Sequence, residues 1–313
     1  MFTLIQKRRW YFLISALLII PGLVAMIYST ATLGAPLRLS IDFTGGSLLE
    51  LSFEQPVAVE DVRAVFTGAG FADTTVQTIG SDENVVIRAK PMEVEAKEAI
   101  VATLEERFGT ATELRFESVG PTVGRETTRS AGLAILATSA AILAFIAFAY
   151  RNVPNALRYG VCAIVKMLHD VLVLLGIASV LGLVAGWEVD SLFLTAALTV
   201  IGFSVQDVIV VFDRIRENIG RSRSEDYETI VNRSLLETLH RSLATQLNAI
   251  FVMVAIILFG GVTIRQFMTI MAVGMVVGTY SSLFFAVPLL VVWEQWQARR
   301  ALEKRIGQRA ATT

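Results

Sequence analysis

Residues 131–150 read AGLAILATSAAILAFIAFAY, twenty residues without a charged side chain. A bilayer core of about 30 Å is crossed by about 20 apolar residues in a helix, so this stretch predicts a membrane span. Five further windows of this kind lie at 10–28, 159–186, 191–212, 242–261 and 267–292. The sequence therefore predicts a polytopic α-helical membrane protein with six transmembrane helices.

The composition indicates the surroundings of the chain. Its 313 residues are 54% hydrophobic and 18% charged, and the formal net charge is −1, far from the composition of a soluble domain. Basic residues stand in short groups beside the apolar windows and form no continuous basic face that would follow a phosphate backbone. We expect a lipid bilayer around the chain and no nucleic acid as a partner.

The distribution of Lys and Arg predicts the orientation. Basic residues stand before the first window and after the second, fourth and sixth windows, in the groups 7–9 (KRR), Arg151 with Arg158, 214–223 and 299–305. Such groups remain preferentially on the cytoplasmic side, so both termini are expected inside and residues 31–128 outside. We interpret the first window as a retained anchor and not as a cleaved signal peptide, because its apolar stretch is long.

Residues 31–128 form a polar segment that we interpret as a folded domain. Apolar residues alternate as in strands at 48–53, 76–79, 85–87 and 113–119, and they follow helical spacing at 59–66 and 93–108. The resulting order β-α-β-β-α-β predicts an α+β ferredoxin-like extracytoplasmic domain between the first and second helices.

The rest of the chain is divided by the same patterns. We assign 1–30 to the N-terminal cytoplasmic end and the first transmembrane helix, 129–296 to a five-helix bundle, and 297–313 to a cytoplasmic basic tail. Within the bundle, segment 213–239 mixes both charge signs with apolar residues, as an amphipathic cytoplasmic helix or a solvated connector would.

One ionisable residue in the fourth window and one directly before the fifth window are candidates for proton transport. Such side chains cost about 2.5–3.5 kcal/mol in a membrane helix on insertion scales, so each is a functional candidate. Asp207 and Arg241 lie about 9–10 Å from the cytoplasmic ends of their helices. A desolvated carboxylate beside a movable cation suits proton carriage. The alternative is a static ion pair, with an arginine that extends to the headgroups.

A second ionisable group lies in the third window. His169 and Asp170 stand near its middle, where they could relay protons or form a structural hydrogen bond. Lys166 precedes Asp170 by four residues, a spacing that favours a pair neutralising the carboxylate.

No pattern points to enzymatic activity, a cofactor or a metal. Cys162 is the single cysteine, and no Cys/His grouping has zinc-ligand spacing. Segment 120–127 contains glycines but lacks the lysine of a phosphate loop. No Ser or Cys nucleophile has a recognisable companion histidine.

Several motifs resemble those of the SecD/SecF family. They are 41–46 (IDFTGG), 119–124 (VGPTVG), 201–207 (IGFSVQD) followed by 212–218 (FDRIREN), 238–243 (TLHRSL) and 259–261 (FGG). The motif residues singled out are Asp42, Gly45, Gly46, Gly120, Pro121, Gly124, Asp213 and Arg214. The last three motifs resemble the SecF branch of that family. Gln206 stands where an Asn is more usual, and Lys166 where an apolar residue is more usual.

The resemblance implies a role in protein export. It implies membership of the resistance-nodulation-division superfamily, a place in the bacterial inner membrane, and a complex with SecD and the SecYEG channel. Protons, with sodium as the alternative ion, would drive a translocating preprotein outward. The resemblance places Asp207 and Arg241 in the proton path, and His169 with Asp170 matches a family pair.

Two other interpretations of the chain stay open. One is a proton-driven exporter of lipids or small molecules, although such exporters usually carry two six-span halves in one chain. The other is an assembly factor that holds the SecYEG partners together without transport.

Overall fold

The computed structural model describes residues 3–79, 81–150, 156–221 and 225–310. They fall into two compact units, one of Met1–Arg38 with Ile135–Thr313 and one of Leu39–Ala134. Arg151 and Arg223 of the predicted basic groups lie outside the described residues, as do residues 311–313 of the predicted tail.

The described residues form ten α-helices and four strands. The helices are α1 (Arg8–Leu33), α2 (Ile41–Thr44), α3 (Val59–Gly68), α4 (Val94–Phe108), α5 (Pro121–Tyr150), α6 (Ala156–Val184), α7 (Ser191–Arg221), α8 (Tyr227–Phe259), α9 (Val262–Tyr280) and α10 (Val287–Ala310). The strands are β1 (Gly46–Phe53), β2 (Thr75–Ile79), β3 (Ser81–Ala89) and β4 (Ala111–Val119). A 3₁₀ turn, Ile5–Lys7, precedes α1, and a π-helical segment, Ser281–Ala286, joins α9 to α10.

Six helical segments of the described chain are long and apolar enough to cross a membrane. They are Ile5–Leu33, Pro121–Tyr150, Leu157–Val184, Ser191–Arg221, Tyr227–Phe259 and Ile264–Arg300. The last segment combines α9, the π-helical segment and part of α10. The prediction of six spans from apolar stretches is therefore confirmed.

Local sequence explains several helix ends. Gly34 ends α1 in the left-handed conformation, and its N–H donates to the carbonyl oxygen of Thr30. The Asp226 side chain accepts from the N–H of Glu228 at the start of α8. These caps satisfy backbone groups that the ends of a helix leave unpaired.

Glycines set the closest helix contacts. A Cβ at Gly22 of α1 would lie 2.6 Å from the Cα of Gly176 in α6, so only glycine permits this approach. A Cβ at Gly274 would lie 2.6 Å from a methyl group of Val200, and one at Gly278 would lie 2.9 Å from the Oγ of Ser204. The small residues of α9 therefore bring it directly against α7.

The second unit is an antiparallel sheet with the strand order β2-β3-β1-β4. Leu49, Leu51 and Phe53 alternate onto one face of β1, where they join the apolar residues of α3 and α4 in a common core. Leu48 faces the other side and packs with Ile41 of α2.

Two segments differ from the sequence prediction. Residues 81–84 lie between the strands expected at 76–79 and 85–87, but they belong to β3, and Asn84 pairs with Ser52 of β1. Residues 213–221 continue α7 and residues 227–239 begin α8, so the amphipathic stretch belongs to two long helices and not to a helix of its own. Contacts with neighbouring strands and helices outweigh the local signals there.

The chain that leaves α1 is tied to α6 and to the turn between α6 and α7. The hydroxyl group of Ser179 donates to the carbonyl oxygen of Pro36 at 3.0 Å. The N–H of Val189 donates to the carbonyl oxygen of Arg38 at 2.8 Å, and the Arg38 Nε lies 3.5 Å from the Oε1 of Glu188. Residues 36–38 are therefore held by one helix and by the turn that follows it.

Candidate functional site

Asp170 lies at the centre of a buried charged group. The Nζ of Lys166 lies 2.8 Å from its Oδ2, and the Oγ of Ser204 donates to the same oxygen at 2.5 Å. Lys166 also donates to the carbonyl oxygen of Ser204 at 2.8 Å, which joins α6 to α7. The predicted i,i+4 pair of Lys166 and Asp170 is thus observed, and it balances the carboxylate charge within one helix.

His169 is the third partner of Asp170. Its Nδ1 lies 3.1 Å from the Oδ1 of Asp170, and its ring stacks on Phe285 with the centroids 4.5 Å apart. Both oxygens of Asp170 therefore have partners. The Asp170 carboxylate thus has three partners, namely the buried Lys166 cation, the Ser204 hydroxyl group and the His169 ring.

Asp207 has the opposite environment. It lies on α7 one turn after Ser204, it is buried, and its Oδ2 has no hydrogen-bond partner among the described residues. Lys166 is close enough to interact electrostatically with it. A buried carboxylate oxygen without a partner is costly, and protonation of the carboxylate would lower that cost.

A cleft opens beside Asp207, between α7 and α8. Its lining residues are Phe203, Gln206, Asp207, Val210, Arg241, Ser242, Thr245 and Gln246. Arg241 is exposed, and no ion pair joins it to Asp207, both of which lie in the described part of the chain. The two predicted residues therefore share a cleft without being in contact.

The glycine-rich motifs meet within the second unit. A Cβ at Gly124 would lie 2.8 Å from the backbone nitrogen of Gly45, and Thr128 donates to the carbonyl oxygen of Phe43 at 3.1 Å. Gly45 and Gly46 have positive φ angles of 71° and 128°, which favour glycine. The turn after α2 and the start of α5 are thus packed backbone against backbone.

Asp213 and Arg214 follow the buried part of α7 and form surface ion pairs. Asp213 lies 2.5 Å from Arg216, and Arg214 bridges Glu217 and Glu237 at 2.6 and 2.5 Å. The Arg214–Glu237 pair links α7 to α8 at the end of the bundle where the cleft lies.

Comparison with known proteins identifies the family. The family model "Protein export membrane protein SecD/SecF, C-terminal" matches residues 99–296, and the model of the SecD/SecF GG motif matches residues 30–57. Protein translocase subunit SecF of Anaerolinea thermophila is 46% identical over 303 residues, which is 96% of each chain. The chain belongs to the SecF family. The SecF of Thermobaculum terrenum is also 46% identical, over the full length of both chains.

A solved structure places the SecF fold within a longer protein. The crystal structure of SecDF, a translocon-associated membrane protein from Thermus thermophilus, matches 94% of this chain with a TM-score of 0.76 and 31% identity. The chain spans 39% of that longer SecDF chain. A second SecDF structure, in a super-membrane-facing form, matches with a TM-score of 0.67. Both similarities agree with the assignment to the SecF family.

Three residues of the site were missed by the sequence analysis of this SecF-family chain. Ser204 bonds Asp170, and Ser242 and Gln246 line the cleft beside Asp207. Only ionisable side chains in the apolar windows were considered as candidates. Ser204 stands one turn before Asp207, and Ser242 stands one turn before Gln246. These spacings relate residues within one helix only, so they do not join the three into one group.

Proposed function

We propose that this chain works as the SecF subunit of the Sec protein translocase, coupling the proton-motive force to the export of unfolded preproteins. In this role it assembles with SecD and acts at the SecYEG channel. Support comes from the family, from the six membrane-capable helices and from the matching SecDF structures. The role is one of transport and not of enzymatic catalysis.

The observation that carries the proton role is the contrast between the two buried carboxylates. Asp170 is bonded by Lys166, His169 and Ser204, whereas the Oδ2 of Asp207 has no partner among the described residues and borders a cleft. A proton added to Asp170 would disrupt three contacts. A proton added to Asp207 would lower the cost of burying a charged oxygen that has no partner. Asp207 is therefore the proton carrier, and His169 with Asp170 is a structural pair.

Arg241 is proposed to change partner between two states of the transport cycle. Its guanidinium group lies at the cleft that Asp207 borders, and it forms no ion pair with Asp207 in this structure. An approach of the guanidinium group would favour the ionised carboxylate and proton release, and its withdrawal would favour proton uptake. The alternation would couple proton flow to movement of α8.

The proposed setting is the bacterial inner membrane, with both termini in the cytoplasm. Support comes from the basic groups at the predicted cytoplasmic ends of the spans. Residues 31–128 would then face the opposite side as the extracytoplasmic domain. We assign this domain to the ferredoxin-like class, which the sheet order β2-β3-β1-β4 supports.

The test is preprotein export into inverted membrane vesicles that contain SecD, SecYEG and either the wild-type chain or Asp207→Asn. Export is measured with the proton gradient imposed and with it collapsed. We expect Asp207→Asn to abolish the gradient-stimulated completion of export and to leave gradient-independent initiation intact. Asp73→Asn is the matched control, because Asp73 is an exposed carboxylate of the other unit and pairs with Lys90.

The same test separates the competing functions. If the proton gradient still stimulates export in Asp207→Asn at normal protein levels, the result would favour the assembly-factor function. Replacing the proton gradient by a sodium gradient identifies the coupling ion, because only the ion that Asp207 binds would restore stimulation.

A further inference from the structure

Three buried oxygens at the cleft beside Asp207 have no partners among the described residues. They are the Oδ2 of Asp207, the Oγ of Ser242 and the Oε1 of Gln246. None of them is in hydrogen-bond geometry with a described residue, although the Ser242 hydroxyl group is near enough to the Asp207 carboxylate to interact with it. The three side chains line the same cleft, and their exposed fractions are 7%, 3% and 5%. Buried polar atoms are normally hydrogen-bonded, so three such atoms around one space indicate a ligand that joins them.

The chemistry of the three groups selects the ligand. The carboxylate and the amide oxygen each accept a hydrogen bond, whereas the hydroxyl group of Ser242 can donate one. A water molecule offers two donors and an acceptor, which matches this set. Buried waters typically make about three hydrogen bonds to otherwise unsatisfied polar groups.

The charges around the cleft favour a neutral ligand over a metal cation. Arg241 borders the same cleft from α8, and Lys166 interacts with Asp207 from α6. Two positive side chains near one carboxylate disfavour a bound sodium ion. Three protein oxygens are also few for a hard cation, which prefers six or more.

We propose that Ser242 and Gln246 hold an ordered water molecule against the Oδ2 of Asp207, and that protons reach and leave Asp207 through this water. A hydronium ion at this position gives one proton to the Oδ2 and remains as water, and the reverse step restores the hydronium ion. Ser242 and Gln246 are positioning residues in this scheme. The inference rests on the proposed proton role of Asp207 and adds the group through which the proton passes.

The test is infrared spectroscopy of the full chain in lipid vesicles as a function of pH. The carbonyl band of protonated Asp207 is identified by its loss in Asp207→Asn. In Ser242→Ala and in Gln246→Leu we expect this band to move to higher wavenumber, because the protonated carboxyl group loses its hydrogen bond to the water. Thr199→Val is the control and leaves the band in place, because Thr199 does not line the cleft and its hydroxyl group already donates to the carbonyl oxygen of Thr195 at 2.8 Å.

Three outcomes would overturn the inference. One is an Asp207 band at the same wavenumber in the wild type and in both cleft variants. Another is loss of the wild-type band when sodium replaces potassium, which would make the cleft a cation site. The last is the absence of an Asp207 band at every pH that the protein tolerates. Export by Asp207→Asn is measured separately, so the proton role of Asp207 can stand while the water inference fails.

Discussion

Lys166 and Asp170 form a salt bridge between neighbouring turns of α6, with the Nζ 2.8 Å from the Oδ2 and both side chains buried. The pair brings two charges into an apolar span as a neutral unit. The carbonyl oxygen of Ser204, which accepts from Lys166, extends the pair to α7. The salt bridge therefore stabilises the packing of α6 against α7.

Replacing Lys166 alone should strongly destabilise the bundle. Lys166→Met leaves the Asp170 carboxylate buried without its cation, a loss of about 3–5 kcal/mol for a broken buried pair. The double variant Lys166→Met with Asp170→Asn should recover most of that loss, because no buried charge remains. The free energy of unfolding in mixed detergent micelles measures both effects, and additive losses in the double variant would contradict the pairing.

The contact between Gly22 and Gly176 should not tolerate a methyl group. A Cβ at Gly176 would lie 2.7 Å from the Cα of Gly22, so Gly176→Ala should force α1 and α6 apart at a cost of about 1–3 kcal/mol. Gly132→Ala is the matched change, since nothing lies within 4 Å of a Cβ there. The melting temperatures of the two variants are compared by thermal unfolding. Equal values would contradict the close approach of Gly22 and Gly176.

The two glycines of the 119–124 motif should respond differently to alanine. A Cβ at Gly124 meets the backbone of Gly45, whereas a Cβ at Gly120 has open space within 4 Å. Gly124→Ala should therefore destabilise the sheet unit by about 1–3 kcal/mol, and Gly120→Ala should be nearly neutral. Hydrogen exchange of the β1 amides reports the difference. Similar protection in both variants would show that the motifs do not pack together.

Arg241 should be required for gradient-driven export but not for folding. Its side chain is exposed at the cleft, so Arg241→Met should preserve the melting temperature and remove most of the gradient stimulation of export. Arg241→Lys keeps the charge and should retain part of the stimulation. If export by Arg241→Met depends on the proton gradient as export by the wild type does, the proposed role of the guanidinium group is contradicted.

The parts of the structure that sequence predicted correctly are those that local spacing determines. The six spans follow from the length of apolar stretches, because the thickness of a bilayer is fixed. The Lys166–Asp170 pair follows from the helical period. Both depend on residues within one helix.

The parts that sequence did not predict depend on how helices meet. Ser204 bonds Asp170 across two helices, and Ser242 and Gln246 reach the Asp207 cleft from a third, so no spacing along one chain segment identifies them as a group. The contact expected between Asp207 and Arg241 rested on matched depth alone. Depth places two side chains at one level of the membrane but does not set their distance.

The bonds at residues 36–38 fix the backbone at the end of the first stretch of the helical unit. The carbonyl oxygens of Pro36 and Arg38 are held by Ser179 and Val189, and the second compact unit begins at Leu39. Residues 36–38 therefore follow a fixed backbone path along the bundle, in place of a free loop between α1 and Leu39.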